Sequence, residues 1–93
     1  MNDQIRAAVE RLFATCLDVT LDGTYHAHMS YAAHTGEVTT YLCPASTKYQ
    51  AKYSYLINES IYIHHPTLTS GDAVGQINAL IGRLNGYMQE GAA

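Results

Sequence analysis

His26 and His28, one residue apart in a stretch that alternates apolar and polar side chains, are the first place in the chain where chemistry could be done. Alternate strand positions point to one side, so the two imidazoles would lie a few ångströms apart, which is half of a zinc site. His64 is the candidate third ligand from another strand. No cysteine or carboxylate pair stands at a spacing that completes a tetrahedral set, so no metal is expected. Cys43 is the candidate nucleophile, and it would need a histidine, His34 or His64, within hydrogen-bond reach and a third group to orient that histidine. Nothing in the spacing supplies such a triad. The chain has no G-x-S-x-G, no glycine-rich phosphate loop and no H-E-x-x-H. No catalytic residue and no cofactor are expected. Protonation of all five histidines, near pH ~6.5, would reverse the sign of the formal net charge of −3.

With catalysis set aside, two surfaces stand out. The stretch from Gly75 to Gly86 has helical apolar spacing yet carries Gly75, Gly82 and Gly86. Each glycine inside a helix costs roughly 1 kcal/mol relative to alanine. On a helical wheel Gly75, Ala79, Gly82 and Gly86 fall within about 60° of arc, opposite the apolar residues. They form a smooth face, flanked by Arg83, on which another backbone could approach closely. The second surface is the polar side of the strands. It would present His26, His28, Tyr41, Lys52 and Tyr62 together with serine and threonine. Eight tyrosines against one phenylalanine and no tryptophan resemble the composition of a recognition surface, where tyrosine supplies rigid contact area with a polar tip.

The elements that must position these residues follow from periodicity. Residues 3–16 have the spacing of a helix, with Ile5, Ala8, Val9, Leu12, Phe13 and Cys16 on the apolar side. Asp22 and Gly23 form a turn signal. Period two then runs from Tyr25 to Ala33, with Tyr25, Ala27, Met29 and Tyr31 on the side expected to be buried. A turn over 34–37 leads to a return strand from Val38 to Cys43, stopped by Pro44. Lys48 to Ile57 alternates again and reads as a strand, with a short helix as the competitor. Asn58 and Glu59 would turn the chain into a last strand from Ser60 to His64. Thr69 to Asp72 has the spacing of a capping box, and a helix follows over 71–88 with a frayed tail. The fold class is α+β: an antiparallel sheet of three to four strands with the N-terminal and C-terminal helices on one face.

Ninety-three residues make one domain, 1–93, and a hydrophobic content of 47% suits a folded core. No segment resembles a signal peptide or a membrane span, so a cytoplasmic protein is expected, with Cys16 and Cys43 reduced. Five basic residues are thin for phosphate neutralisation, so direct nucleic-acid binding is not expected. The α-β-β-β-α order nevertheless resembles double-stranded-RNA-binding domains. They read RNA with basic residues at the start of the last helix, where this chain has Thr69, Ser70, Gly71 and Asp72. In size, charge and layout the chain is similar to small phage proteins that inhibit a host defence complex, the anti-CRISPR proteins among them. That resemblance implies a protein partner, a subunit of a CRISPR effector complex, blocked sterically. A homodimer through the small-residue face is the further alternative. Gly82→Leu is expected to keep the circular dichroism of the parent while abolishing self-association or partner binding, and unchanged association would remove the smooth face from the account.

Overall fold

The computed structural model describes residues 3–45, 55–64 and 70–92. Two helices bracket three strands in the order α1 (Asp3–Asp22), β1 (Tyr25–Ala32), β2 (Glu37–Pro44), β3 (Ile57–Tyr62) and α2 (Ser70–Ala92). α1 is amphipathic because Ile5, Ala8, Leu12, Cys16 and Val19 recur on one side and are buried. It runs six residues past the end that the sequence predicts. Val19 continues the apolar spacing, and the helix stops only where Gly23, at φ 96°, supplies the left-handed conformation that ends helices. The Gly23 N–H donates back to the Thr20 carbonyl at 3.2 Å.

β1 and β2 form an antiparallel hairpin in which Tyr25 faces Pro44 and Ala32 faces Glu37. β2 pairs with β3 on its other side, from Glu37 against Tyr62 to Leu42 against Ile57. The sheet order is therefore β1-β2-β3. Gly36 closes the hairpin turn at φ 71°, and its N–H donates to the Ala32 carbonyl at 2.9 Å. A side chain at Gly36 would be strained because the φ is left-handed, and its Cβ, 2.6 Å from Nδ1 of His64, would also require the exposed His64 ring to move.

The alternation in the strands decides which face is covered. Val38 and Leu42 of β2, with Ile57 and Ile61 of β3, are buried against Leu12 of α1 and Ile77 and Leu84 of α2. Tyr25, Ala27 and Met29 of β1 lie on the same side and pack against this cluster, as their period predicts, whereas Tyr31, also expected to be buried, is 52% exposed where the strand runs past the helices. Both helices therefore cover one face of a three-stranded sheet, which is an α+β fold. Tyr25 meets Tyr87 of α2 edge-on at 5.2 Å, and Arg11 donates to Asn78 at 2.9 Å to join the helices.

Several expectations are corrected. Phe13 is 56% exposed and is not core. It lies about 100° round the helix from Leu12, off the stripe of Ile5, Ala8, Leu12, Cys16 and Val19 that fills the interior. The predicted strand over 48–57 falls mostly on residues 46–54, outside the described residues, and Tyr55 and Leu56 are not strand. The last strand begins at Ile57, ahead of the predicted Ser60, and ends at Tyr62. Asn58 and Glu59 do not turn the chain. Glu59 points to the helix side and is held there by Arg83 at 2.6 Å. α2 continues to Ala92 through the tail expected to fray, and Thr69 of the predicted capping box lies outside the described residues.

Thr40 is fully buried at the centre of the covered face, and its Oγ1 has no hydrogen-bond partner among the described residues. A buried hydroxyl without a partner costs about 1–3 kcal/mol. Thr40→Val is therefore expected to raise stability by ~1 kcal/mol, read as a higher urea midpoint with an unchanged slope. A lower midpoint would show that the hydroxyl contributes a bond.

Candidate functional site

The face of the sheet away from both helices carries the even-numbered residues of β1 and the residues paired with them, of which Cys43 is fully buried and His26, His28 and Tyr41 are half-buried. His28 lies opposite Tyr41 in the register, and the two rings stack at 4.5 Å with an 11° tilt. His26 stands edge-on to His28 at 6.3 Å, and Tyr55 packs at 60° against Tyr41 at 4.9 Å. Four rings, His26, His28, Tyr41 and Tyr55, thus form a row across the sheet on the side that neither helix covers. Tyr55 was not expected there. Alternation over 48–57 groups it with Ile57 on the buried side, but it precedes the strand and is free of that parity. Its neighbour Leu56 donates its N–H to the Leu42 carbonyl at 2.8 Å, which draws the segment against β2.

Of the other sheet-face residues named from sequence, Tyr62 stands opposite Glu37, whereas Tyr41 stands opposite Asn58. Tyr62 therefore occupies a separate corner of the same face. Lys52 lies outside the described residues. His64 does not join His26 and His28. It sits at the hairpin end, where its Nε2 is 2.8 Å from the Tyr31 hydroxyl. Among the described residues no three histidine, cysteine or acidic side chains converge as a metal site. Cys43 is paired with His26 at one end of the hairpin, and its Sγ is 3.9 Å from the His26 carbonyl. His34 and His64 belong to the opposite end, so the Cys–His pair considered from sequence is not assembled. Burial pushes the Cys16 thiol up to about 11, which keeps it protonated at neutral pH.

The small-residue face of α2 is where the periodicity puts it. Gly75, Ala79, Gly82 and Gly86 are exposed, and a Cβ at any of the three glycines would meet nothing within 4 Å. No described part of the chain packs on it. Arg83 turns away toward β3, where a groove of about 210 Å³ lies between α2 and β3, lined by Ala79, Leu80, Ile61 and the Glu59–Arg83 pair.

A third surface was missed. Phe13, Leu17 and Leu21 follow one another at successive turns of α1 and are 56%, 48% and 81% exposed. Leu17 and Leu21 lie beyond the helix end predicted at residue 16, so their four-residue spacing from Phe13 had no helix to sit on. Charge does not single out any of these surfaces. The described arginines are all engaged: Arg6 with Glu10 at 3.0 Å, Arg11 with Asn78 and Arg83 with Glu59. Among the described residues no helix is long and apolar enough to cross a membrane. Comparison with family models, with curated proteins and with solved structures finds no match to the chain.

Within the row of rings His28 has its pKa lowered, first by burial and then by the charge of His26. The sign of the linkage follows. Above the ordinary histidine value of 6.5 both the folded and the unfolded chain hold His28 neutral. Below it the unfolded chain takes the proton first, so stability is lost as the pH falls through the folded value. His28→Gln is expected to flatten the decline of the urea midpoint between about pH 7 and pH 5. An equally steep decline in the variant would show that His28 takes up its proton alike in both states.

Proposed function

We propose that the chain is a protein-interaction module that presents the His26–His28–Tyr41–Tyr55 face of its sheet to a protein partner. The observation that carries this reading is the row of four rings packed edge to face and face to face on the side of the sheet left open by both helices. A row of this kind is already ordered before binding, so little side-chain freedom is lost on contact. Tyrosine and histidine offer both apolar faces and polar tips, which is the chemistry of an interface anchor.

A net charge of −3 favours encounter with basic surfaces. A binder of this size acts sterically, by occupying a surface that another molecule needs. The class it is similar to in size, charge and layout is the small inhibitor of a host nucleoprotein defence complex, of which the anti-CRISPR proteins are examples. On that reading the partner is a subunit whose nucleic-acid-binding surface is basic. The element order shared with double-stranded-RNA-binding domains is the competing consideration. Against it stand the engaged arginines and an acidic residue, Asp72, in the first turn of α2.

Affinity capture from nuclease-treated bacterial lysate compares the parent with Tyr41→Ala and Tyr55→Ala. The expected outcome is a stoichiometric protein that survives nuclease treatment and binds each variant more weakly by over ~1 kcal/mol. A capture lost with nuclease would turn the account toward nucleic acid. Full binding by both variants would move the interface off this face.

A further inference from the structure

β1 is an edge strand that, among the described residues, pairs only with β2. Its register with β2 runs without a bulge from Tyr25 to Ala32. Thr20 of α1 shows which backbone groups face outward. Its hydroxyl accepts the Ala27 N–H at 3.0 Å and donates to the Ala27 carbonyl at 3.3 Å. In an antiparallel pair each residue turns both backbone groups toward the partner strand or away from it, and the two cases alternate. Ala27 turns away from β2, so Met29 and Tyr31 do the same, while His28 and Ser30 bond to β2. Thr20 thus does for Ala27 what one residue of a further strand would do. Among the described residues, no backbone group does so for Met29 or Tyr31. The devices that blunt an edge are also missing. The strand YHAHMSYA has no proline, lysine, arginine, aspartate or glutamate. On the β3 side, by contrast, Glu59 points inward and is tied to Arg83.

A groove of about 290 Å³ runs along this edge, with Phe13 and Leu17 of α1 on one wall and Met29 and His28 of β1 on the other. It is continuous with the row of rings, because His28 belongs to both. At neutral pH the groove holds no fixed charge. Its Cys16 thiol stays protonated, and burial and the charge of His26 keep His28 neutral. Glu10, on the same side of α1 as Phe13 and Leu17, is paired with Arg6 at 3.0 Å.

We propose that the partner docks an extended, uncharged segment of its chain along β1 as a fourth strand of the sheet. An apolar face alone would accept any apolar partner. Outward donors and acceptors at strand spacing select an extended backbone, which meets those of Met29 and Tyr31. Side chains of the added strand alternate between its two sides. Those on the helix side enter the groove between Leu17 and Met29, and those on the other side lie beside His28. Backbone pairing supplies affinity, and the uncharged groove selects an apolar side chain. The inference rests on the partner-face reading and adds the form of the segment that binds there.

Amide hydrogen exchange of the free protein, read by NMR, tests the edge first. Met29 and Tyr31 are expected to exchange at least ~tenfold faster than His28 and Ser30. Equal protection of all four overturns the inference. The second measurement uses a library of short synthetic peptides that alternate threonine with valine, leucine or phenylalanine. Members that bind are expected to slow the Met29 and Tyr31 amides. N-methylation of the peptide residues that face β1 is expected to weaken binding roughly tenfold, whereas N-methylation of the alternate residues is tolerated. Leu17→Glu, at an exposed helix position, is expected to weaken the peptides with unchanged circular dichroism. A library without a binder overturns the inference. So does binding that ignores the parity of N-methylation, leaves the two amides unchanged or tolerates Leu17→Glu. Tyr41→Ala and Tyr55→Ala report on the ring face. An edge that fails these tests while those two variants weaken capture leaves the partner face standing.

Discussion

A three-stranded sheet of this length has one apolar face, and the rest of the structure depends on covering it. Val38, Thr40 and Leu42 of the central strand all point the same way because a strand alternates with period two. The register carries that alternation to both neighbours. Leu42 aligns with Ala27 and Ile57, and Val38 with Tyr31 and Ile61. A slip of one residue would turn every one of these side chains to the other face. The single apolar face needs two helices to close it. α1 covers β1 and α2 lies toward β3, and the two helices pack on each other through Leu12, Ile77 and Leu84.

One-sided covering has consequences for the surfaces that remain. The outer face of the sheet collects the side chains excluded from the core, among them His26, His28, Tyr41, Ser60, Tyr62 and Glu37. At the flanks the same economy leaves apolar residues outside. Twenty residues of α1 carry more apolar positions than a single stripe can bury, so Phe13, Leu17 and Leu21 stay on the open side. α2 solves the same problem differently, with glycines and an alanine on its outer side.

The element order, the fold class and the inward side of β1 up to Met29 were legible because they rest on periodicity, while Tyr31 on the same side is exposed. Gly23 and Gly36 were legible as turns because their left-handed φ values have a sequence signature. The end of α1 was not. Asp18 and Thr20 weaken helix propensity locally, whereas Val19 is held in the helix by tertiary packing that the sequence does not display. The position of β3 was misread for a related reason. Asn58 and Glu59 look like a turn in isolation and become strand residues because Ile57 and Ile61 on either side of them are buried and pair with Leu42 and Val38 of β2. Of the candidate surface, His26, His28 and Tyr41 were placed together correctly from parity alone. Tyr55 was not, because it packs on Tyr41 from outside any strand. The exposed stripe on α1 depended on a helix length that local signals understate.

Hydroxyl-radical footprinting of the dilute protein, read residue by residue by mass spectrometry, tests the one-sided architecture most directly. The account predicts that Tyr55 and Tyr62 are oxidised readily while Leu42, Ile57 and Ile61 are protected. Protection of Tyr55 and Tyr62 equal to that of Leu42 would contradict it. The outer face would then be covered, and the proposed partner surface would not exist.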